Sequence, residues 1–170
     1  MVSMKLSIHF TEKEPFYYNN FLCKEGYIII GDFKEKFYAS IEYWKPEDYE
    51  MQWHEAIERL KYYSKSCLIT EINDPIKGRF IEWWTIYKKD QKLYLQNQWL
   101  FNKIYKKFIG NNTINHRNCF DFIPSFNSQH AKRSKAATWI IEVPNKLQSL
   151  DTLYQKGNFR LRKHRTVWAL

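Results

Sequence analysis

The chain has 170 residues, the size of one ordinary domain, and at 44% hydrophobic it can bury a substantial core, while five Gly and five Pro are too few for a linker or low-complexity protein. A net charge of +9 favours acidic proteins, nucleic acid or anionic membranes as partners, yet Arg160, Arg162, Lys163 and Arg165 supply +4 of it within 158–170, so the body is only mildly basic. Three widely spaced cysteines (Cys23, Cys67, Cys119) give neither a disulfide framework nor a metal knuckle, and with no signal-peptide core and no apolar run of membrane-span length, buried reduced thiols and a soluble cytoplasmic chain are expected.

The first 36 residues carry little pattern, apart from an alternating strand at Lys5 to Phe10 and a short apolar run at Tyr27 to Ile30. Phe37 to Trp44 alternates and predicts a strand. Pro46, with Glu47 and Asp48 behind it, opens a helix. Tyr49, Trp53, Ala56, Ile57 and Leu60 then recur at three and four residues, giving one apolar face from Pro46 to about Tyr62, with Glu55 and Arg59 as an exposed i,i+4 pair. Ser66 to Ile72 predicts a strand, ended by a turn at Asn73-Asp74-Pro75 and Gly78. Arg79 to Lys88 is apolar on both faces, as a central strand should be. After the polar turn Lys89-Asp90-Gln91, Lys92 to Phe101 alternates, with Leu93, Leu95, Trp99 and Phe101 on one face, so 79–101 reads as a long β-hairpin.

Beyond it, a short helix at Asn102–Ile109, a loop at Gly110–Asn118 and a strand at Phe120 to Phe126 are expected. A basic loop runs from Asn127 to Lys135 and a strand from Ala136 to Val143. Pro144 opens a second helix carrying Leu147, Leu150, Leu153 and Tyr154, which Gly157 stops. The reading is α+β: one or two twisted antiparallel sheets with two amphipathic helices, forming one domain over 1–157. Residues 158–170 follow as a basic tail or a final strand, for which Leu161, Val167 and Trp168 argue.

Catalytic chemistry is poorly represented. His54-Glu55 stands in H-E-x-x-E, which lacks the second histidine a helical zinc site needs, and a solvated helix face is the better reading. His116 and Cys119 share a loop, but spacing alone supplies neither contact nor an oxyanion site. No phosphate-cradling glycine motif occurs, and no metal or other cofactor is expected. The 18% aromatic content could serve base stacking on a basic sheet. Periodicity instead assigns Trp53, Trp84, Trp99 and Trp139 to the core and leaves Trp44, Trp83 and Trp168 undecided.

Tyr43-Trp44, Asp48-Tyr49 and Trp53 form a YW…DY…W pattern. It is followed by Phe80-Ile81, Trp84, Tyr87 and the run Lys92-Leu93-Tyr94-Leu95-Gln96-Asn97. Over residues 43–101 the chain resembles the immunity proteins of bacterial contact-dependent growth inhibition systems, the CdiI type, in particular its Enterobacter cloacae-like branch. The resemblance implies a Whirly-like fold and a cytoplasmic antidote that binds, one to one, the C-terminal toxin domain of a surface-delivered effector, often a nuclease. Such families vary their interface, so no partner-binding residue is carried over by motif. From the residues themselves, the basic loop positions Lys88, Lys89, Lys132, Arg133 and Lys135 are the candidates for partner binding, with an acidic patch expected on the toxin. The alternative reading is a single-strand nucleic-acid binder; the same loop cations predict weak, salt-sensitive nucleic-acid binding in either case.

Overall fold

The computed structural model describes residues 6–74, 78–101, 114–126 and 137–143. Within them the order is β1 (Leu6–Phe10), β2 (Phe16–Tyr18), β3 (Phe21–Ile30), β4 (Phe33–Ser40), α1 (Pro46–Arg59), β5 (Lys65–Glu71), β6 (Phe80–Lys89), β7 (Lys92–Phe101), a 3-10 helix at Asn118–Phe122, and β8 (Thr138–Glu142). The fold is mixed: two antiparallel sheets and one helix among the described residues. The second helix expected from Pro144, the short helix at 102–109, the loop at 127–135 and the tail at 158–170 lie outside the described residues.

The first sheet is built on β3. β1 pairs with Gly26–Ile30 and β2 with Phe21–Cys23 along one edge, and β4 takes the other edge. Its turns follow from backbone permissiveness. Asn19 and Asn20 both hold positive φ between β2 and β3, the two-residue hairpin turn that asparagine tolerates, and Gly31 takes positive φ between β3 and β4. Gly26 is needed for a different reason: a Cβ there would stand 2.3 Å from Cζ of Phe37, whose ring lies over it.

The second sheet runs β5-β6-β7-β8. β6 and β7 pair in register from Phe80↔Phe101 to Lys89↔Lys92, closed by Asp90 and Gln91 at positive φ, which matches the predicted hairpin. β8 places Trp139 opposite Leu95 and Ile141 opposite Leu93.

α1 forms where Pro46, Glu47 and Asp48 predict it, with the Asp48 carboxylate accepting from the Lys45 N–H at 2.8 Å. It ends at Arg59, and a turn carries the chain on to β5. Its buried face closes the free edge of β5. The Gln52 side-chain amide donates to the Cys67 carbonyl at 2.7 Å and accepts from the Ile69 N–H at 3.0 Å, and Trp53 Nε1 donates to the Ile69 carbonyl at 2.7 Å. An uncovered sheet edge invites pairing with another chain, and here side chains of α1 take the place of a neighbouring strand. The Tyr49 hydroxyl donates to the Ser40 carbonyl at 2.8 Å and accepts from the Ile72 N–H, tying the end of β4 to the end of β5.

Several expectations need correction. The strand placed at Phe37 to Trp44 is Phe33–Ser40; Ile41 to Trp44 form a turn, and Trp44 is buried against Tyr49. Phe120 to Phe126 is not a strand: the segment opens in the 3-10 helix, which packs Cys119 and Phe120 into the core. Trp83, left undecided, is buried. Trp99, assigned to the core, is 59% exposed.

Candidate functional site

The exposure of Trp99 follows from how the two sheets overlap. Side chains at Ile86, Leu95 and Trp139 share one face of the second sheet, as do Trp84 and Asn97 in the next row. β4 covers this face there. Phe33 packs at 4.5 Å from Trp139 and 6.2 Å from Trp84, ring centre to ring centre, and the Asn97 side chain donates to Glu35 at 3.1 Å. One row further along, the same face carries Glu71, Glu82 and Trp99, opposed across three strands, and then Phe80 beside Phe101. Trp99 and Phe101 are open to solvent, at 59% and 41% exposed. The core face of the sheet thus runs out into a ledge at the open end of the hairpin.

The ledge is ordered by its own contacts. Phe80 stacks on Trp99 at 5.1 Å with 24° between planes and meets Phe101 edge-on at 6.5 Å. Three carboxylates line its inner side. Asn97 Nδ2 bridges Glu35 at 3.1 Å and Glu82 at 3.3 Å, while Glu71 accepts from Asn73 at 2.9 Å. Partial burial, reinforced by Glu82, holds the Glu35 and Glu71 carboxyls above the usual carboxylate range. The pairings of these three side chains, among the described residues, are with amides rather than with lysine or arginine. In a chain of net charge +9 this is a local acidic region with an aromatic rim.

The residues singled out from sequence are placed differently. The Lys88 ammonium donates to the Leu60 carbonyl at the C-terminal end of α1, so this cation serves a helix end. Lys89 is exposed beside the hairpin turn, at the opposite end of β6 from the ledge. Lys132, Arg133 and Lys135 lie outside the described residues.

His116 and Cys119 are neighbours without forming a nucleophile–base pair. Nδ1 of His116 sits 2.9 Å from a Glu55 oxygen, and the Cys119 thiol donates to the His116 backbone carbonyl at 3.5 Å. Glu55 therefore ties α1 to the loop before the 3-10 helix, rather than pairing with Arg59, whose guanidinium packs on Tyr63 and Phe120. All three cysteines are free and buried, and burial pushes the Cys23 thiol up to about 11 and the Cys67 thiol well above its ordinary value. Among the described residues no group of three metal-ligating side chains occurs, and no helix is long and apolar enough to cross a membrane.

The model of the CdiI N-terminal domain matches residues 39–147. The chain belongs to the CdiI family. The matched region takes in α1, the second sheet and most of the ledge, and it begins near the end of β4. The immunity protein CdiI of Enterobacter cloacae subsp. cloacae is 31% identical over 93 residues, which make up 54% of this chain and 64% of that protein. This chain thus spans just under two thirds of that curated relative. Among solved structures, the CdiA-CT/CdiI toxin and immunity complex from Enterobacter cloacae contains a chain that matches with a TM-score of 0.69 at 26% identity. The match covers 87% of this chain and 97% of that one. Structural likeness thus reaches beyond the family match, into the first sheet.

Proposed function

We propose that this CdiI-family chain is the antidote of a contact-dependent inhibition pair: it binds the C-terminal toxin domain of its cognate effector, one to one, and neutralises it. The observation that carries the reading is the match over 87% of the chain to a member of a toxin and immunity complex. In this reading the buried thiols and the Glu55–His116 pair, which holds α1 to a loop, serve the fold. The reading is of a non-enzymatic cytoplasmic binder with a Whirly-like arrangement, working against a toxin domain that is a nuclease. Lys89, with Lys132, Arg133 and Lys135, is assigned the rim of the interface, where single charges alter association rate more than affinity. Co-expression with the C-terminal domain of its cognate effector tests the reading, which requires the two to co-purify.

One observation favours a second reading, single-strand nucleic-acid binding. The outer face of the first sheet carries Phe16 and Tyr18, each packed against Tyr38, and Lys34 lies 3.8 Å over the Tyr27 ring. Against it, Glu25 holds both Lys13 and Lys36 on that face, so much of the positive charge is already paired. Sub-micromolar binding to oligonucleotides that survives physiological salt would place this reading first.

A further inference from the structure

We infer that the ledge of Phe80, Trp99 and Phe101, backed by Glu35, Glu71 and Glu82, is the anchoring surface for the toxin domain, and that it receives a basic patch flanking an apolar pocket on that partner. The inference rests on the antidote reading and says where and by what chemistry it acts.

Three observations converge. First, Trp99 and Phe101 are exposed while stacked in a fixed arrangement on Phe80, at the open end of a strand pair that is otherwise core. Rigid, pre-organised aromatics lose little conformational freedom on binding, and tryptophan is among the residues most often found to dominate interface energetics. Second, the charge there runs against the rest of the molecule. Glu82 lies directly opposite Trp99 and Glu71 directly opposite Glu82, with Glu35 joined through Asn97. Asn97 bridges Glu35 and Glu82 and Asn73 donates to Glu71, so among the described residues the donors to these carboxylates are neutral amides. A basic partner surface would relieve their mutual repulsion as it docked, and an acidic surface would aggravate it. Third, Trp99 and Phe101 lie outside the buried core. The hydrophobic stripe that fills the core at Leu93 and Leu95 continues past the cover of β4, which exposes large apolar area at a cost in solubility.

The geometry also separates the ledge from Lys89, which stands at the other end of the hairpin. The two ends can therefore be tested independently with this chain and its cognate toxin domain. Trp99→Ala and Glu82→Lys should each weaken binding by about tenfold or more, as expected for truncating a central anchor and reversing an interfacial charge. Tyr62→Ala, an exposed side chain in the turn between α1 and β5 at that other end, should leave affinity within about twofold. Oxidative footprinting of the wild-type complex supplies a second measurement that does not depend on variants folding: Trp99 and Phe101 should be labelled in the free chain and shielded in the complex. If the wild type binds the toxin but both ledge variants bind as well as it does, or if Trp99 stays equally labelled in the complex, the ledge is not the anchor. If the wild type itself fails to bind, the antidote reading fails, and the ledge assignment falls with it.

Discussion

Gln52 stands in for a strand beside Ile69. Fully buried on α1, it accepts the Ile69 N–H at 3.0 Å through Oε1 and donates to the Cys67 carbonyl at 2.7 Å through Nε2. Replacing it with Leu keeps the apolar bulk but orphans two buried backbone groups, each of which costs about 1–3 kcal/mol when left unpaired. Gln52→Leu should therefore lower stability by about 2–4 kcal/mol in urea unfolding, with an unchanged m-value. Gln52→Glu retains the acceptor but loses the donor and buries a carboxyl, so it should not rescue. A midpoint equal to wild type for Gln52→Leu would show that the β5 edge finds other partners.

Lys88 supplies a prediction that separates stability from binding. Its ammonium donates to the Leu60 carbonyl beyond the end of α1. Lys88→Met keeps the aliphatic stem and removes the charge-assisted bond, which should cost about 1 kcal/mol. Thermal unfolding should show the loss. Toxin affinity should not move, because the cation is spent inside the molecule. The opposite pattern, unchanged stability with weakened binding, would return Lys88 to the partner-facing surface.

Glu50 gives a pH dependence with a definite sign. Burial, with Glu47 nearby, pushes its carboxyl up to about 7 from an ordinary value of 4.5, against the opposing pull of Lys24. A carboxyl whose native value is raised binds its proton more tightly in the folded chain than in the unfolded one. Its contribution therefore favours folding at low pH and is lost as pH rises from about 4.5 through about 7. Glu50→Gln fixes the neutral form. The variant should melt higher than wild type at pH 8, and the gap should close as pH falls toward 4.5. A gap that is constant with pH, or that widens on acidification, would contradict this.

Much of this architecture is legible in the sequence because local chemistry and tertiary demand agree. Pro46, Glu47 and Asp48 mark the start of α1, and the two-faced apolar run of β6 followed by Lys89-Asp90-Gln91 marks the hairpin. The first sheet is harder to see because its signals are short. Asn19-Asn20 and Gly31-Asp32 are two-residue turn pairs, but the strands they join carry lysine and glutamate along with tyrosine, which blurs the alternation. Trp99 shows where periodicity cannot reach: it lies on the same stripe as Leu93 and Leu95, and only the extent of β4 decides which part of the stripe is covered. The polar break at Asn97 within that stripe, with Glu82 opposite Trp99, is the available hint that the environment changes. Lys88 shows the converse, a lysine near the end of β6 whose role at a helix end depends on a contact 28 residues away in sequence.

Neutralisation by tight binding is tested by titration calorimetry of the chain with its cognate toxin domain. Near-complete occupancy of a delivered toxin requires a nanomolar or tighter complex, about −12 kcal/mol or more favourable. One-to-one stoichiometry in that range is expected, together with survival of cells expressing the toxin only when this chain is co-expressed. Binding no tighter than micromolar, with no rescue of growth, would contradict it.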